Sequence, residues 1–196
     1  MKVALILLSA LTSTFLCFDR QGAKPAVCRG KPLSIKLLPG PKMSGVLLPL
    51  RFGGNRQLPS PYFHSFPSEK PFRMVIRNRA EFNDLWQRLT APIPSGSWVP
   101  PLPEIDFSQE MVIVSAMGLR PTSGYVTVID GACEADGEVE IFITNLEDTS
   151  CLGLFPVVSY PADAVRIPQT KLPVVFREIQ ISCTEWADLL KRSPRN

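Results

Sequence analysis

Histidine is almost missing from this chain of 196 residues, since the only one is His64. A Ser-His-Asp or Cys-His catalytic arrangement would have to be built on His64, which has no recognisable motif beside it. The metalloprotease, nucleophile-elbow and phosphate-loop motifs are missing as well. These absences predict a protein that is not an enzyme. The alternative is a hydrolase with dispersed residues, since paired carboxylates need not be neighbours in the chain.

The chain also lacks a large excess of positive or negative charge. The chain has 21 basic and 18 acidic residues, a net charge of +3, and no basic cluster with interleaved aromatic residues. This balance argues against a nucleic-acid partner. The acidic group of Glu134, Asp136, Glu138 and Glu140 lacks the ligand spacing of a calcium loop. We therefore expect no metal site and no cofactor.

Long hydrophobic runs are confined to the start of the chain, where Lys2 precedes an apolar stretch that ends before Asp19. A run of roughly fifteen apolar residues is typical of a signal peptide and is short for a membrane-spanning helix. We interpret residues 1–23 as a signal peptide, with a buried helix or an uncleaved anchor as alternatives. The prediction is an exported protein, located in the periplasm, at the cell surface or secreted, with no membrane span after cleavage. Leu16 before Cys17 argues against lipidation, because a small residue is expected there.

Four cysteines follow the predicted signal peptide: Cys28, Cys133, Cys151 and Cys183. An even number in an exported chain favours disulfides, and four cysteines allow three connectivities. No two lie close enough for a typical zinc site. We favour pairing Cys133 with Cys151, which closes a short loop, and Cys28 with Cys183, which ties the N-terminal segment to the last strand. Free buried thiols are the alternative.

Proline divides the rest of the chain, because fourteen of the 20 prolines lie between Pro25 and Pro103. Residues 24–71 are predicted to form a Pro-rich N-terminal arm. Within it, Ser34–Leu38 and Val46–Leu50 flank a Gly- and Pro-containing turn and are predicted to pair as a small hairpin. The main domain is predicted to span residues 72–192.

This domain is predicted to be mainly β (α+β): an antiparallel β-sandwich or half-barrel of about 6–8 strands with one packed helix. The helix is placed near residues 79–90, where Asn78 can cap it and Phe82, Leu85, Trp86 and Leu89 form one apolar face. Asp136-Gly137 is typical of a hairpin turn. Ser182 and Glu185 predict the start of a short terminal helix. Predicted strands are Phe72–Arg77, Met111–Met117, Tyr125–Ile129, Val139–Thr144, Leu152–Ser159, Ala164–Ile167 and Val174–Ile181.

One connection between strands is unusual. Gly118 and Gly124 bracket a loop that Pro121 stiffens and that presents Arg120, Thr122 and Ser123, with Tyr125 at its base. The simpler interpretation is a structural corner. Arg and Tyr also anchor recognition surfaces, however, so any binding site is expected at Arg120, Thr122, Ser123, Gly124 and Tyr125.

Several stretches together resemble one family. These are Val75-Ile76-Arg77, Phe82, Leu85-Trp86, Ile105-Asp106-Phe107-Ser108, Met111-Val112, the loop from Gly118 to Tyr125, and Pro173-Val174-Val175-Phe176. Over residues 72–180 the chain resembles the PrcB C-terminal domain of exported bacterial proteins. The Arg-Pro-Thr-x-Gly-Tyr loop is the most specific part of this resemblance.

The resemblance implies a bacterial envelope or secreted protein whose partner is another protein, since the family takes its name from an accessory subunit of a surface protease complex. We therefore predict a non-enzymatic binding or accessory domain associated with an extracellular or envelope protease. A hydrolase and a purely structural envelope protein are the alternatives.

Overall fold

The computed structural model describes residues 28–38, 47–49, 55–57, 68–90, 101–122, 124–147 and 158–185. These residues contain ten strands and one helix. In chain order they are β1 Lys31–Pro32, β2 Lys36–Leu37, β3 Leu47–Pro49, β4 Asn55–Gln57, β5 Phe72–Ile76, α1 Arg79–Thr90, β6 Glu110–Ala116, β7 Val126–Ala135, β8 Glu138–Leu146, β9 Ala162–Pro168 and β10 Val174–Ile181.

Eight of the strands form two four-stranded sheets. Sheet 1 has the order β1-β7-β8-β10 and sheet 2 has the order β2-β9-β6-β5, while β3 and β4 pair with each other. The prediction of a mainly β fold with one helix at residues 79–90 is confirmed. One pairing departs from the antiparallel pattern, because β10 runs parallel to β8. The chain leaves sheet 1 after β8, runs through sheet 2 as β9 and then returns, which supplies the long crossover that a parallel pair needs.

Helix α1 forms where its sequence signals lie. The Glu81 backbone N–H donates to Asn78 Oδ1 at 2.9 Å, so Asn78 caps the helix as predicted. Phe82, Leu85 and Trp86 are buried against the outer face of sheet 2, in a cluster that includes Val112 and Val114. The helix therefore covers sheet 2 on the side away from sheet 1.

The two sheets enclose a second apolar core. Alternate residues of the central strands point into it, with Ile113 and Val165 from sheet 2 and Ile129, Ile141 and Ile143 from sheet 1, all fully buried. The molecule is thus built in three layers: helix, sheet 2 and sheet 1. No helix among the described residues is long and apolar enough to cross a membrane.

The N-terminal segment is integrated into the sandwich. β1 pairs with β7 and β2 pairs with β9, so residues 31–37 pass from the edge of sheet 1 to the edge of sheet 2. The predicted hairpin between Ser34–Leu38 and Val46–Leu50 is therefore wrong, because Lys36 and Leu37 pair with β9 and Leu47–Pro49 pairs with β4. A strand that completes an existing sheet edge satisfies more backbone groups than an isolated two-stranded hairpin does. The boundary at residue 72 does not separate this part of the arm from the domain.

The disulfide connectivity also differs from the favoured one. Cys28 is bonded to Cys133, with Cα atoms 5.6 Å apart, which excludes both predicted pairs. The physical reason is the pairing of β1 with β7, which brings residue 28 beside the end of β7. Cys183 is disulfide-bonded too, and Cys151 lies outside the described residues.

Two smaller predictions are confirmed. Asp136 and Gly137 have φ angles of 51° and 80° and join β7 to β8, as a two-residue hairpin turn requires. The Ser182 N–H donates to the Glu185 carboxylate at 2.8 Å, which gives the predicted cap. The predicted strand Leu152–Ser159 is described only at its last two residues, where Ser159 forms a single bridge rather than a strand.

Candidate functional site

The loop that the sequence singled out continues the pairing of β6 and β9 beyond the end of sheet 2. The Met117 N–H donates to Pro161 O at 2.8 Å, and Arg120 and Ser159 exchange backbone hydrogen bonds of 2.8 and 3.0 Å. We call these two segments, residues 117–122 and 158–161, the β6–β9 extension. Between its hydrogen bonds, Gly118 and Leu119 stand opposite the single residue Tyr160. The extension therefore contains a β-bulge with a glycine in the left-handed region, where φ is 75°.

The bulge is packed against a third segment. A Cβ atom added to Gly118 would lie 2.7 Å from the backbone carbon of Lys70 and 2.8 Å from Pro71 N. The Leu119 N–H also points to Glu69 O, at 3.4 Å. Residues 69–71 therefore pack directly against the extension. Their backbone lies so close to Gly118 that a side chain at position 118 would not fit.

Arg120 is held by its neighbours rather than presented to solvent. Its guanidinium carbon lies 5.4 Å from the centre of the Tyr125 ring, and its Nη2 atom is 3.6 Å from Glu147 Oε1. The first contact is a cation–π interaction and the second is a long ion pair. With a quarter of its side chain exposed, Arg120 ties the extension to the start of β7 and the end of β8.

The remaining predicted site residues are also partly enclosed. Ser159 Oγ donates to the Thr122 carbonyl at 2.5 Å, Gly124 is buried and Tyr125 is half-buried. The Thr122 hydroxyl and Arg120 Nε are buried without a hydrogen-bond partner. Ser123 lies outside the described residues. The structure thus brings Arg120, Thr122 and Tyr125 together, but chiefly as the framework of the extension.

Two other residues supply its exposed surface. Leu119 is 42% exposed and Val158 is 53% exposed, and only Leu102 joins them as a large exposed hydrophobic residue in the described part of the chain. Each lies one residue away from the Arg120–Ser159 bridge. Because side chains alternate along paired strands, both point away from the face on which Arg120 and Ser159 lie. Neither residue could be recognised from the sequence as part of a site, since leucine and valine are not residue types that signal one.

Beneath the extension, polar side chains replace the apolar core between the sheets. Arg73, Ser115 and Asp163 stand in one row across β5, β6 and β9, because Ser115 is the register partner of both others. Thr127 and Asn145 form a facing pair on β7 and β8. All of these except Arg73 are at least 95% buried. We call these five residues, together with Glu178 of β10, the polar layer.

Hydrogen bonds join the polar layer across the two sheets. The Ser115 and Thr127 hydroxyls are 3.0 Å apart, and Asp163 Oδ2 accepts the Ile129 backbone N–H at 2.7 Å. Asn145 Nδ2 donates to Glu178 at 3.1 Å. The first two bonds each join a residue of sheet 2 to a residue of sheet 1, and the third joins the neighbouring strands β8 and β10. The layer therefore fixes how the two sheets align at this end of the sandwich.

Arg73 closes the layer at the sheet edge. Its Nε and Nη2 atoms donate to the two carboxylate oxygens of Glu178 at 2.8 and 2.6 Å, and its Nη1 donates to Ala116 O at 2.6 Å. This two-point contact joins β5 to β10, which are the edge strands of sheets 2 and 1. The arginine therefore links the two sheets between their edge strands on this side of the sandwich.

Replacing Arg73 by methionine is expected to lower the free energy of unfolding by about 1–2 kcal/mol, because the Ala116 carbonyl and the Glu178 carboxylate, which is 40% exposed, lose the donors of an arginine that is only 14% exposed. Urea denaturation measures this change. Arg88→Met is the matched control, since Arg88 pairs with Asp84 on an exposed helix surface. It is expected to cost under about 0.5 kcal/mol. Equal effects of the two variants would show that the Arg73–Glu178 contact does not stabilise the fold.

The hydroxyl and carboxylate groups of the polar layer are engaged in hydrogen bonds. The Ser115 hydroxyl is hydrogen-bonded to the Thr127 hydroxyl, and the Asp163 carboxylate accepts the Ile129 backbone N–H. Within the described ranges there is no group of three or more residues suited to a metal ion. His64 lies outside those ranges.

No family model, no curated protein and no solved structure matches this chain. The function therefore has to be inferred from the geometry of the extension and of the polar layer beneath it.

Proposed function

We propose that this protein is a non-enzymatic binding or accessory module, and that the β6–β9 extension is its contact surface for another protein. One observation carries the proposal. The extension is fixed by backbone hydrogen bonds on two sides, yet it exposes Leu119 and Val158 to 42% and 53%. Exposed apolar side chains on a rigid support are typical of interaction surfaces.

Rigidity matters because binding is opposed by the entropy of ordering the surface. A surface that is already fixed loses little on association, so more of the contact energy appears as affinity. The bulge at Gly118, the Arg120–Ser159 bridge and the contact of Arg120 with Tyr125 provide this order before a partner arrives. Arg120 and Tyr125, which the sequence predicted as binding contacts, thus hold the proposed contact surface in place.

The proposed setting is outside the cytoplasm. The apolar start of the sequence, the bond between Cys28 and Cys133 and the bonded state of Cys183 all support export to the periplasm, the cell surface or the medium. The resemblance to PrcB C-terminal domains supports an extracellular or envelope protease as the partner. Under this proposal the module holds or positions the protease and performs no chemistry itself.

The test is a comparison of surface variants. Leu119→Asp combined with Val158→Asp is expected to weaken partner binding at least tenfold, since two apolar contacts are replaced by charges that must be desolvated. Leu102→Asp is the matched control, because Leu102 is also exposed, at 38%, and does not belong to the extension. Binding is measured by surface plasmon resonance against the envelope protease complex of the organism that carries the gene.

Three outcomes would contradict the proposal. The first is equal binding by the double variant and the Leu102 control. The second is turnover of a peptidase or glycosidase substrate that disappears in His64→Ala, which would favour the hydrolase. The third is a double variant whose only effect is on stability, with no partner bound by the unaltered protein, which would favour a structural role.

A further inference from the structure

A second surface lies at the opposite end of sheet 2, where β2, the start of β6 and the end of β9 meet. It is a cavity of about 230 Å³, with Ser34, Lys36, Gln109, Glu110, Arg166 and Pro168 in its wall. Two of these residues come from the N-terminal segment, which the sequence left without a role. The cavity is distinct from the β6–β9 extension, since Glu110 begins β6 and the extension follows the last residue of that strand.

The charges in this wall do not cancel. Lys36 Nζ lies 2.7 Å from Glu110 Oε1 and Arg166 Nη1 lies 2.8 Å from Glu110 Oε2. The hydrogen bond from Lys36 holds the pKa of Glu110 below its usual value, so this carboxylate is ionised at neutral pH. One anion between two cations leaves a net charge of +1 at the cavity.

Hydrogen-bond donors are also in surplus. An ammonium group has three N–H donors, and Lys36, whose side chain is 59% exposed, uses one of them on Glu110. Arg166 is held in place by the Leu37 carbonyl, which accepts from its Nε and Nη2 at 3.2 and 3.1 Å. The side chains of Ser34 and Gln109 make no hydrogen bond within the described part of the chain. A hydroxyl and an amide are therefore available beside the lysine.

We propose that this cavity binds a carboxylate group, with Lys36 as the charged contact and Ser34 and Gln109 as neutral donors. A compact monoanion matches the single excess positive charge, and its two oxygens match donors that come from β2, from the connection before it and from the turn before β6. The volume admits a small organic acid or the last residue of a peptide. Pro168 supplies an apolar wall for a short side chain.

The test is a titration followed by NMR of the backbone amides, at constant ionic strength. The probes are sodium acetate, the peptide acetyl-Gly-Ala with a free carboxylate, and the same peptide with an amidated end. Saturable shifts at Ser34, Lys36 and Gln109 are expected with the first two probes only. A peptide that binds more tightly than acetate identifies a chain terminus as the ligand, and equal affinities identify a free acid.

Variants then separate recognition from general charge effects. Lys36→Met is expected to weaken binding at least fivefold, and Lys171→Met, which removes an exposed lysine outside the cavity, is expected to leave it unchanged. A substitution at Lys36 could also disturb the pairing of β2. Gln109→Leu therefore tests the cavity from outside that strand and is expected to weaken acetate binding about threefold. Equal binding of the amidated peptide, no saturable shift, or full affinity in both Lys36→Met and Gln109→Leu would overturn the proposal. The Leu119 and Val158 variants should bind acetate normally, so failure here is distinguishable from failure of the proposed contact surface.

Discussion

Removing the bond between Cys28 and Cys133 is expected to lower the free energy of unfolding by about 3–4 kcal/mol. The two residues are 105 positions apart in the sequence, so the bond closes a large loop in the unfolded chain. The chain-entropy relation gives about 4.7 kcal/mol for a loop of 100 residues. We expect less, because the bond of Cys183 remains in the variant and already restricts the unfolded chain.

The measurement is urea denaturation of Cys28→Ser combined with Cys133→Ala. Its m value should rise as well, because a less constrained unfolded chain exposes more surface. Chemical reduction is a poorer experiment, since it also breaks the bond of Cys183. Cys28→Ser alone is the control: it breaks the same bond without altering the buried Cys133 side chain, and it should agree with the double variant within about 1 kcal/mol. A loss below 1 kcal/mol in both would show that the cross-link does not constrain the unfolded state.

The parts of the fold that were predictable depend on local signals. Helix α1 combines the Asn78 cap with apolar residues at helical spacing, and both signals lie within twelve residues of each other. The turn at Asp136-Gly137 is equally local, because these residue types tolerate the positive φ that the turn requires. Signals of this kind act over a few residues, so they predict the local structure without knowledge of the neighbour that the segment packs against.

The parts that were not predictable depend on pairing between distant segments. Lys36 could pair with a neighbour in the sequence or with Arg166, and its own residue type does not distinguish the two. The structure favours the distant partner because β9 offers an edge with an apolar core behind it. The disulfide follows from the same choice, since β1 must reach β7 before Cys28 can reach Cys133.

The candidate site likewise has a part that local sequence signals predict and a part that depends on distant segments. Its loop was predictable from Gly118, Pro121 and Gly124, but the direction of each side chain depends on where the segment around Ser159 lies. Leu119 and Val158 became a common surface only through that bridge. The polar layer was hidden for a related reason, because Ser115 follows a run of apolar residues in β6 and its partners come from three other strands, β5, β7 and β9.

Gly118→Ala is expected to lower the free energy of unfolding by about 3 kcal/mol, through two costs that add. A positive φ costs an alanine about 1 kcal/mol, and a backbone contact that must be relieved costs a further 1–3 kcal/mol. At φ 75° the new Cβ would lie 2.7 Å from the Lys70 carbonyl carbon, where neither backbone can turn aside as a side chain can. The relief therefore has to come from residues 69–71, and the β6–β9 extension loses its support. Thermal and urea denaturation measure the loss.

Gly137→Ala isolates the steric part of this loss. Gly137 has nearly the same backbone conformation, with φ 80°, but an added Cβ would meet nothing within 4 Å. Its substitution should cost only about 1 kcal/mol, the conformational part alone. The difference between the two glycines then measures how firmly residues 69–71 are packed beneath the bulge. If both variants lose the same free energy of unfolding, residues 69–71 move aside without cost. The rigid support on which the proposed contact surface depends is then absent.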